Sequence, residues 1–243
     1  MIKILSIGNS FSTDAQRYLY DISVQNGVEL ECYNLFIGGC SLQTHWGNYV
    51  GNNAFYDLEI NGNEATRKIS IEEAILMYKW DVITVQQASA FSGMFESFIP
   101  YLTDLVKAVR EKAPTAKLYF HETWSYEIGS LHEGFLNYNS SQKEMYSRIK
   151  ESSKKASNLI NAEIIPTGEV IQFVRENIPE FDFENGGISL CRDSFHLSED
   201  YGRFLAGAVW FKKLTGKALK EQPFLNFDCG ITEKLIKTVN DRV

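Results

Sequence analysis

Two short stretches near opposite ends of the chain hold residue types that together can make a nucleophilic centre: Ser10 in GNSFSTD, and Asp193 with His196 in CRDSFHLS. A serine hydroxyl is inert until a base removes its proton. The base is most often a histidine, and the histidine needs a carboxylate to fix its tautomer and stabilise the imidazolium. Asp193 and His196 stand three residues apart in a loop, a spacing that lets the carboxylate accept from one ring nitrogen while the other faces a cleft. Taken singly, each residue has an ordinary explanation, since serine in a strand-to-helix loop is a common cap and Asp or His before a helix is a common loop residue. Ser10 is the third member that the Asp-His pair lacks.

The elements around these residues must bring them together. The opening run IKILSI reads as a strand buried on both faces and ends at Gly8. Thr13 or Asp14 can cap a helix beginning near Ala15, which leaves Ser10 in the strand-to-helix loop, where open α/β sheets place their ligands. A glycine stop at Gly27 and a second strand, Glu29 to Phe36, complete a strand-helix-strand unit. The alternation continues with a strand from Asp81 to Val85, the helix FIPYLTDLVKAVREKAP, and a strand ending near Glu122. It closes with the long polar-faced helix NSSQKEMYSRIKESSKKASNLINA, the short strand EIIPTG, and the helix EVIQFVRENI. A last helix is expected with Ser198 as N-cap, Glu199 and Asp200 in its first turn and Gly216 at its end. FYDLEINGNEATRKIS carries an Asn61-Gly62 hairpin signal and reads as a surface excursion outside the sheet. The expectation is one domain over residues 1–243, a three-layer α/β/α, flavodoxin-like fold on a five-stranded parallel sheet.

With 44% hydrophobic and 13% aromatic residues the chain is globular, and its 243 residues suffice for a full core. A net charge of −7 and a pI near 5.2 argue against a general nucleic-acid binder, which needs a basic surface to displace counterions. No apolar run approaches the ~20 residues of a membrane-spanning helix. Met1 leads straight into the first strand without a leader pattern, so the expected location of the chain as given is cytoplasmic, with no membrane partner. The four cysteines are scattered and read as thiols. HETWS begins like a zinc-protease motif but has Ser125 where the second histidine would stand, so no metal is expected.

The order of four blocks, GNSFS, GGCS, VQQAS and DSFH, resembles that of the SGNH, or GDSL-type, esterase superfamily, and the resemblance spans nearly the whole chain. It implies Ser10 as nucleophile, Asp193 as orienting acid and His196 as base. It further implies an oxyanion hole from the backbone N–H groups of Ser10 and Gly39, with Gly38 the alternative to Gly39. Where the superfamily has Gly-x-Asn-Asp, this chain reads VQQAS, so the side-chain donor becomes Gln87, with Gln86 the competitor; Gln carries the donor of Asn on one more methylene. GNSF and HETW look like a divergent bacterial branch of the superfamily.

The function implied is that of a serine esterase acting on an acyl ester, without a cofactor. His45, Trp46 and Trp124 are expected to line its substrate site. Because flat aromatic faces suit sugar rings, the expected substrate is a small-molecule or carbohydrate ester, with acetyl as the acyl group. Two other readings are a non-catalytic carbohydrate-binding protein on an esterase fold and a phosphate or flavin-phosphate module, in which GNSFSTD cradles the anion.

Overall fold

The computed structural model describes residues 1–63, 67–222 and 226–243. Its sheet has strands β1 (Ile2–Ile7), β2 (Leu30–Phe36), β3 (Tyr56–Ile60), β4 (Lys68–Ile69), β5 (Val82–Val85), β6 (Lys117–His121) and β7 (Glu163–Ile165). The order is β4-β3-β2-β1-β5-β6-β7. The five strands expected from the sequence are all parallel and lie in the order β2-β1-β5-β6-β7, the flavodoxin-like winding. The order reverses beside β1, which opens a crevice at the carboxyl ends of β1 and β5.

The hairpin departs from expectation. Asn61 and Gly62 form its turn with φ of 53° and 73°, the positive values that an Asn-Gly pair tolerates. β3 nevertheless pairs antiparallel with β2, and β4 pairs antiparallel with β3, so the segment extends the sheet to seven strands among the described residues. Alternating burial along β3 explains this: Tyr56 and Leu58 are buried while Asp57 and Glu59 are more open. Glu64 to Thr66 of the same segment lie outside the described residues.

Helices cover both faces of the sheet. They are α1 (Ser10–Gln16), α2 (Leu19–Gln25), α3 (Leu42–Val50), α4 (Ile71–Met77), α5 (Tyr101–Lys112), α6 (Gln142–Leu159), α7 (Thr167–Asn177), α8 (Tyr201–Thr215) and α9 (Cys229–Arg242). Ile4, Cys32 and Ile165 pack against α1, α2, α7, α8 and α9, whereas Leu5, Ile7, Leu35 and Val85 pack against α3, α4 and α5. α8 begins at Tyr201, capped by Asp200 rather than Ser198; the Ser198 hydroxyl instead accepts from Gly202 N–H at 3.0 Å. Gly216 ends α8 at φ 68°, as expected. No helix among the described residues is long and apolar enough to cross a membrane.

Candidate active site

The largest local departure is at the start of α1. The helix begins at Ser10, several residues before Ala15, because Asn9 caps it: the Asn9 side chain accepts from Phe11 N–H at 3.0 Å, and Ser12 Oγ accepts from Asn9 N–H at 3.0 Å. This reciprocal capping satisfies donors that a helix start leaves open. Asn9-x-x-Ser12 was its signal in the sequence. Gly8 is required by the turn, since a Cβ there would lie 2.0 Å from Ser12 Oγ.

α1 sits on the sheet through polar contacts. Asn34, Ser6 and Thr84 form a row across β2, β1 and β5 at one register level. Ser12, one turn before Gln16 on the same helix face, donates to Asn34 Oδ1 at 2.7 Å, and Gln16 donates to Ser6 Oγ at 2.5 Å. All five side chains are buried and hydrogen-bonded, so the seat resists the sliding that a purely apolar contact would permit.

Across from α1 lies the loop from Cys191 to Leu197, pinched by a bridge between those two residues. Arg192 N–H donates to His196 O at 3.0 Å, and Asp193 Oδ1 accepts from His196 N–H at 2.7 Å. Ser194, at φ 71°, turns the loop and hands its carbonyl to Glu127 N–H. Asp193 Oδ2 lies 2.7 Å from His196 Nδ1, and His196 Nε2 lies 2.8 Å from Ser10 Oγ. Partial burial pushes the Asp193 carboxyl up, but the hydrogen bonds from the His196 ring and backbone outweigh it and hold the group below its ordinary range. An ionised Asp193 fixes the proton on Nδ1 and leaves Nε2 to accept from the serine. The three residues thus form an uninterrupted Ser-His-Asp chain with the geometry that proton removal from Ser10 requires.

Ser10 N–H and Gly39 N–H have no hydrogen-bond partner among the described residues. Ser10 is the first residue of α1, where the helix offers no acceptor. Gly39 follows β2 at φ 63°, with nothing within 4 Å of the position its Cβ would take.

The two glutamines divide differently from expectation. Gln87 Oε1 accepts from Leu42 N–H at 2.9 Å and Ala88 N–H at 2.8 Å, and its amide nitrogen donates to Ser97 O and Oγ, both at 3.1 Å. Its amide is therefore committed to bracing α3 and the segment after β5, and the expectation of an oxyanion donor at Gln87 is corrected on that ground. Gln86 instead lies against the nucleophile block, donating to Asn9 Oδ1 at 2.7 Å. Asn9 Nδ2 donates to Cys40 O at 3.1 Å, which fixes both amide orientations and turns Gln86 Oε1 toward His121 Nδ1 at 2.6 Å. His121 must then carry its proton on Nδ1, leaving Nε2 to accept from Thr167 Oγ1 at 3.0 Å. Burial pushes the His121 pKa down to about 3, so this ring stays neutral.

Two of the expected substrate contacts are corrected by burial. His45 is 0% exposed, shares a contact with Tyr56 Oη at 2.9 Å, and has its pKa pushed down to about 3 by burial. Trp124 is also 0% exposed; it stacks on Phe11 at 4.2 Å and donates to Phe195 O at 2.7 Å, joining α1 to the Asp-His loop. Trp46 is half-buried and stacks on Tyr49. A cavity of about 480 Å³ lined by Glu127, Gln172, Arg175 and Phe181 contains none of Ser10, Asp193 or His196, so its size gives it no claim on the chemistry. The four cysteines are free thiols.

A protein-family model for a domain of unknown function, DUF4886, matches residues 3–234. No curated protein matches the chain. A DUF4886 family protein from Bacteroides uniformis is 36% identical, with 99% of this chain and 93% of that one covered at a TM-score of 0.90. Axe2, an acetylxylan esterase from Geobacillus stearothermophilus, is 14% identical over 90% of this chain and 97% of its own, at a TM-score of 0.56. A protein from Slackia heliotrinireducens, classed by inference as an SGNH hydrolase, is 18% identical over 88% and 98% of the two chains, at a TM-score of 0.60. The latter two show a shared SGNH hydrolase-like fold. The chain belongs to the DUF4886 family.

Proposed function

We propose that this DUF4886 protein is a serine esterase in which Ser10 is the nucleophile, His196 the general base and Asp193 the orienting acid. The observation that carries the reading is the hydrogen-bonded chain Ser10 Oγ, His196 Nε2, His196 Nδ1, Asp193 Oδ2, with links of 2.8 and 2.7 Å. His196 Nε2 takes the hydroxyl proton as Ser10 Oγ adds to the acyl carbonyl. The resulting oxyanion accepts from the N–H groups of Ser10 and Gly39, which point no bond elsewhere and so need no reorganisation. The imidazolium returns its proton to the departing alcohol. Water, deprotonated in turn by His196, then releases the acid from Ser10.

The substrate we propose is an acetyl ester carried on a carbohydrate. The fold shared with Axe2, an acetylxylan esterase, supports that choice. The buried state of His45 and Trp124 removes two of the aromatic contacts first expected to hold a sugar, leaving Trp46. The two binding-only readings leave the Ser-His-Asp chain without a role.

The test is covalent labelling. A fluorophosphonate probe should modify the protein at Ser10, located by peptide mass spectrometry, and acetylated xylo-oligosaccharides and p-nitrophenyl acetate should both release acetate. Labelling elsewhere, or none, would overturn the assignment.

A further inference from the structure

We propose that Asp14 is a positioning residue for the base, holding the loop that carries His196 in register with the helix that carries Ser10. The proposal rests on the reading of Ser10 and His196 as nucleophile and base. Asp14 is 0% exposed, and both its oxygens are engaged. Oδ1 accepts from Arg192 Nη1 at 3.0 Å and from Arg203 Nε at 2.8 Å, while Oδ2 accepts from Leu197 N–H at 2.8 Å.

The arrangement is a two-rung ladder. Ser10 and Asp14 are four residues apart on α1, and side chains at that spacing share a helix face. His196 and Leu197 are neighbours on the loop. The Ser10–His196 rung is the reacting contact, and the Asp14–Leu197 rung lies one turn below it. Arg192 N–H, the Cys191–Leu197 bridge and Asp193 Oδ1 brace the loop from within, so its residues are held in fixed relation to one another. Arg192 also donates to Leu197 O, so the Asp14 carboxylate grips the loop from its side chains and its backbone at once.

The other anchors bear on this register less directly. Trp124 Nε1 to Phe195 O, Glu127 N–H to Ser194 O and Ser194 Oγ to Ser130 Oγ tie the loop to the segment after β6, and of these only Trp124 reaches α1, through its non-directional stacking on Phe11. A buried carboxylate between two guanidinium groups and a backbone N–H is strongly constrained, since release of any partner leaves a buried polar group short of a hydrogen bond. A misplacement of about 1 Å at a reacting contact can cost on the order of 10²-fold in rate. Asp14 therefore acts through His196 without touching substrate.

The test uses two variants of the full chain, with turnover expressed per site titrated by the fluorophosphonate probe so that misfolded protein does not count. Asp14→Asn should lower kcat per titrated site by about 10²-fold with KM changed less than about threefold. Asp14→Glu keeps a carboxylate for both arginines but lengthens the rung by a methylene, so it should fold with only a modest fall in melting temperature and still show the kcat loss. A merely structural carboxylate predicts the opposite: Asp14→Glu with wild-type turnover per titrated site. That result, or Asp14→Asn within twofold of wild type, overturns the proposal. Ser10→Ala run alongside separates the two readings. If Ser10→Ala remains active the nucleophile assignment itself fails, whereas an inactive Ser10→Ala beside an active Asp14 variant removes only the positioning role.

Discussion

Gln87 Oε1 accepts a hydrogen bond from the backbone N–H of Leu42 at 2.9 Å, tying the end of β5 to the first residue of α3. The same oxygen takes Ala88 N–H, and the amide nitrogen reaches Ser97. Gln87→Ala should therefore strip buried backbone donors of their acceptor and lower stability by about 1–3 kcal/mol. Urea unfolding should show that loss, with kcat per titrated site falling less than tenfold; a loss of 10² or more without destabilisation would return Gln87 to the oxyanion hole.

Removal of the proposed nucleophile is the most direct check on the chemistry. Ser10→Ala should reduce kcat on p-nitrophenyl acetate by about 10⁴ to 10⁶ while the circular dichroism spectrum is unchanged. Asp193→Asn should cost about 10⁴, because its amide can present a donor to His196 Nδ1 and favour the wrong tautomer. Retention of most activity by Asp193→Asn would assign the histidine to another partner.

Gly39 tests the oxyanion hole through backbone alone. A methyl group there meets no atom within 4 Å, so the cost of Gly39→Ala is the left-handed conformation itself, about 1 kcal/mol. Relief of that strain turns the peptide, which would carry its N–H away from the oxyanion of the proposed mechanism. The expected outcome is a kcat loss of about 10² with KM nearly unchanged and only a small fall in melting temperature.

Glu122 gives a pH signature independent of the triad. It is 3% exposed beside the start of α7, accepting from Glu169 N–H at 2.8 Å, and burial followed by the Glu169 charge pushes its pKa up to about 7. Its folded pKa lies above the unfolded value, so the native state holds the proton more tightly. The resulting stability is fully present below about pH 4.5 and is lost as pH rises toward 7, on the order of 3 kcal/mol in all. Glu122→Gln should flatten this part of the melting-temperature profile and raise the melting temperature at pH 8; a variant that keeps the wild-type slope would refute the assignment.

The periodicities of buried runs made the five parallel strands and most of the long helices legible, because each such element has a strong local signature that tertiary contacts reinforce. Gly216 and the Asn61-Gly62 turn were legible for a similar reason: a positive φ selects its residue types. The short α1 was harder. Its start depends on Asn9 and Ser12 satisfying each other, and a sequence with Ser, Thr and Asp in succession offers several equivalent caps. The role of the hairpin was also open, since alternation specifies a strand but not the partner it pairs with.

Residue types and order alone determined that a serine, a histidine and an aspartate could form a nucleophilic centre, and that an Asp-x-x-His loop stood far from the serine along the chain. What only the tertiary structure decided was which polar side chains are spent on holding that centre. Gln86 and Gln87 are chemically identical neighbours, yet the chain directs one to Asn9 and His121 and the other to Leu42 and Ser97. His45 and Trp124 looked like pocket residues and proved to be fully buried, whereas Asp14, equally plausible as a helix cap, became the carboxylate between two arginines. A hydrogen-bonding side chain has several possible partners within reach of its own segment. Which one it takes depends on the donors and acceptors that distant elements bring into the same dry space, where leaving any of them unpaired costs more than any local preference can supply.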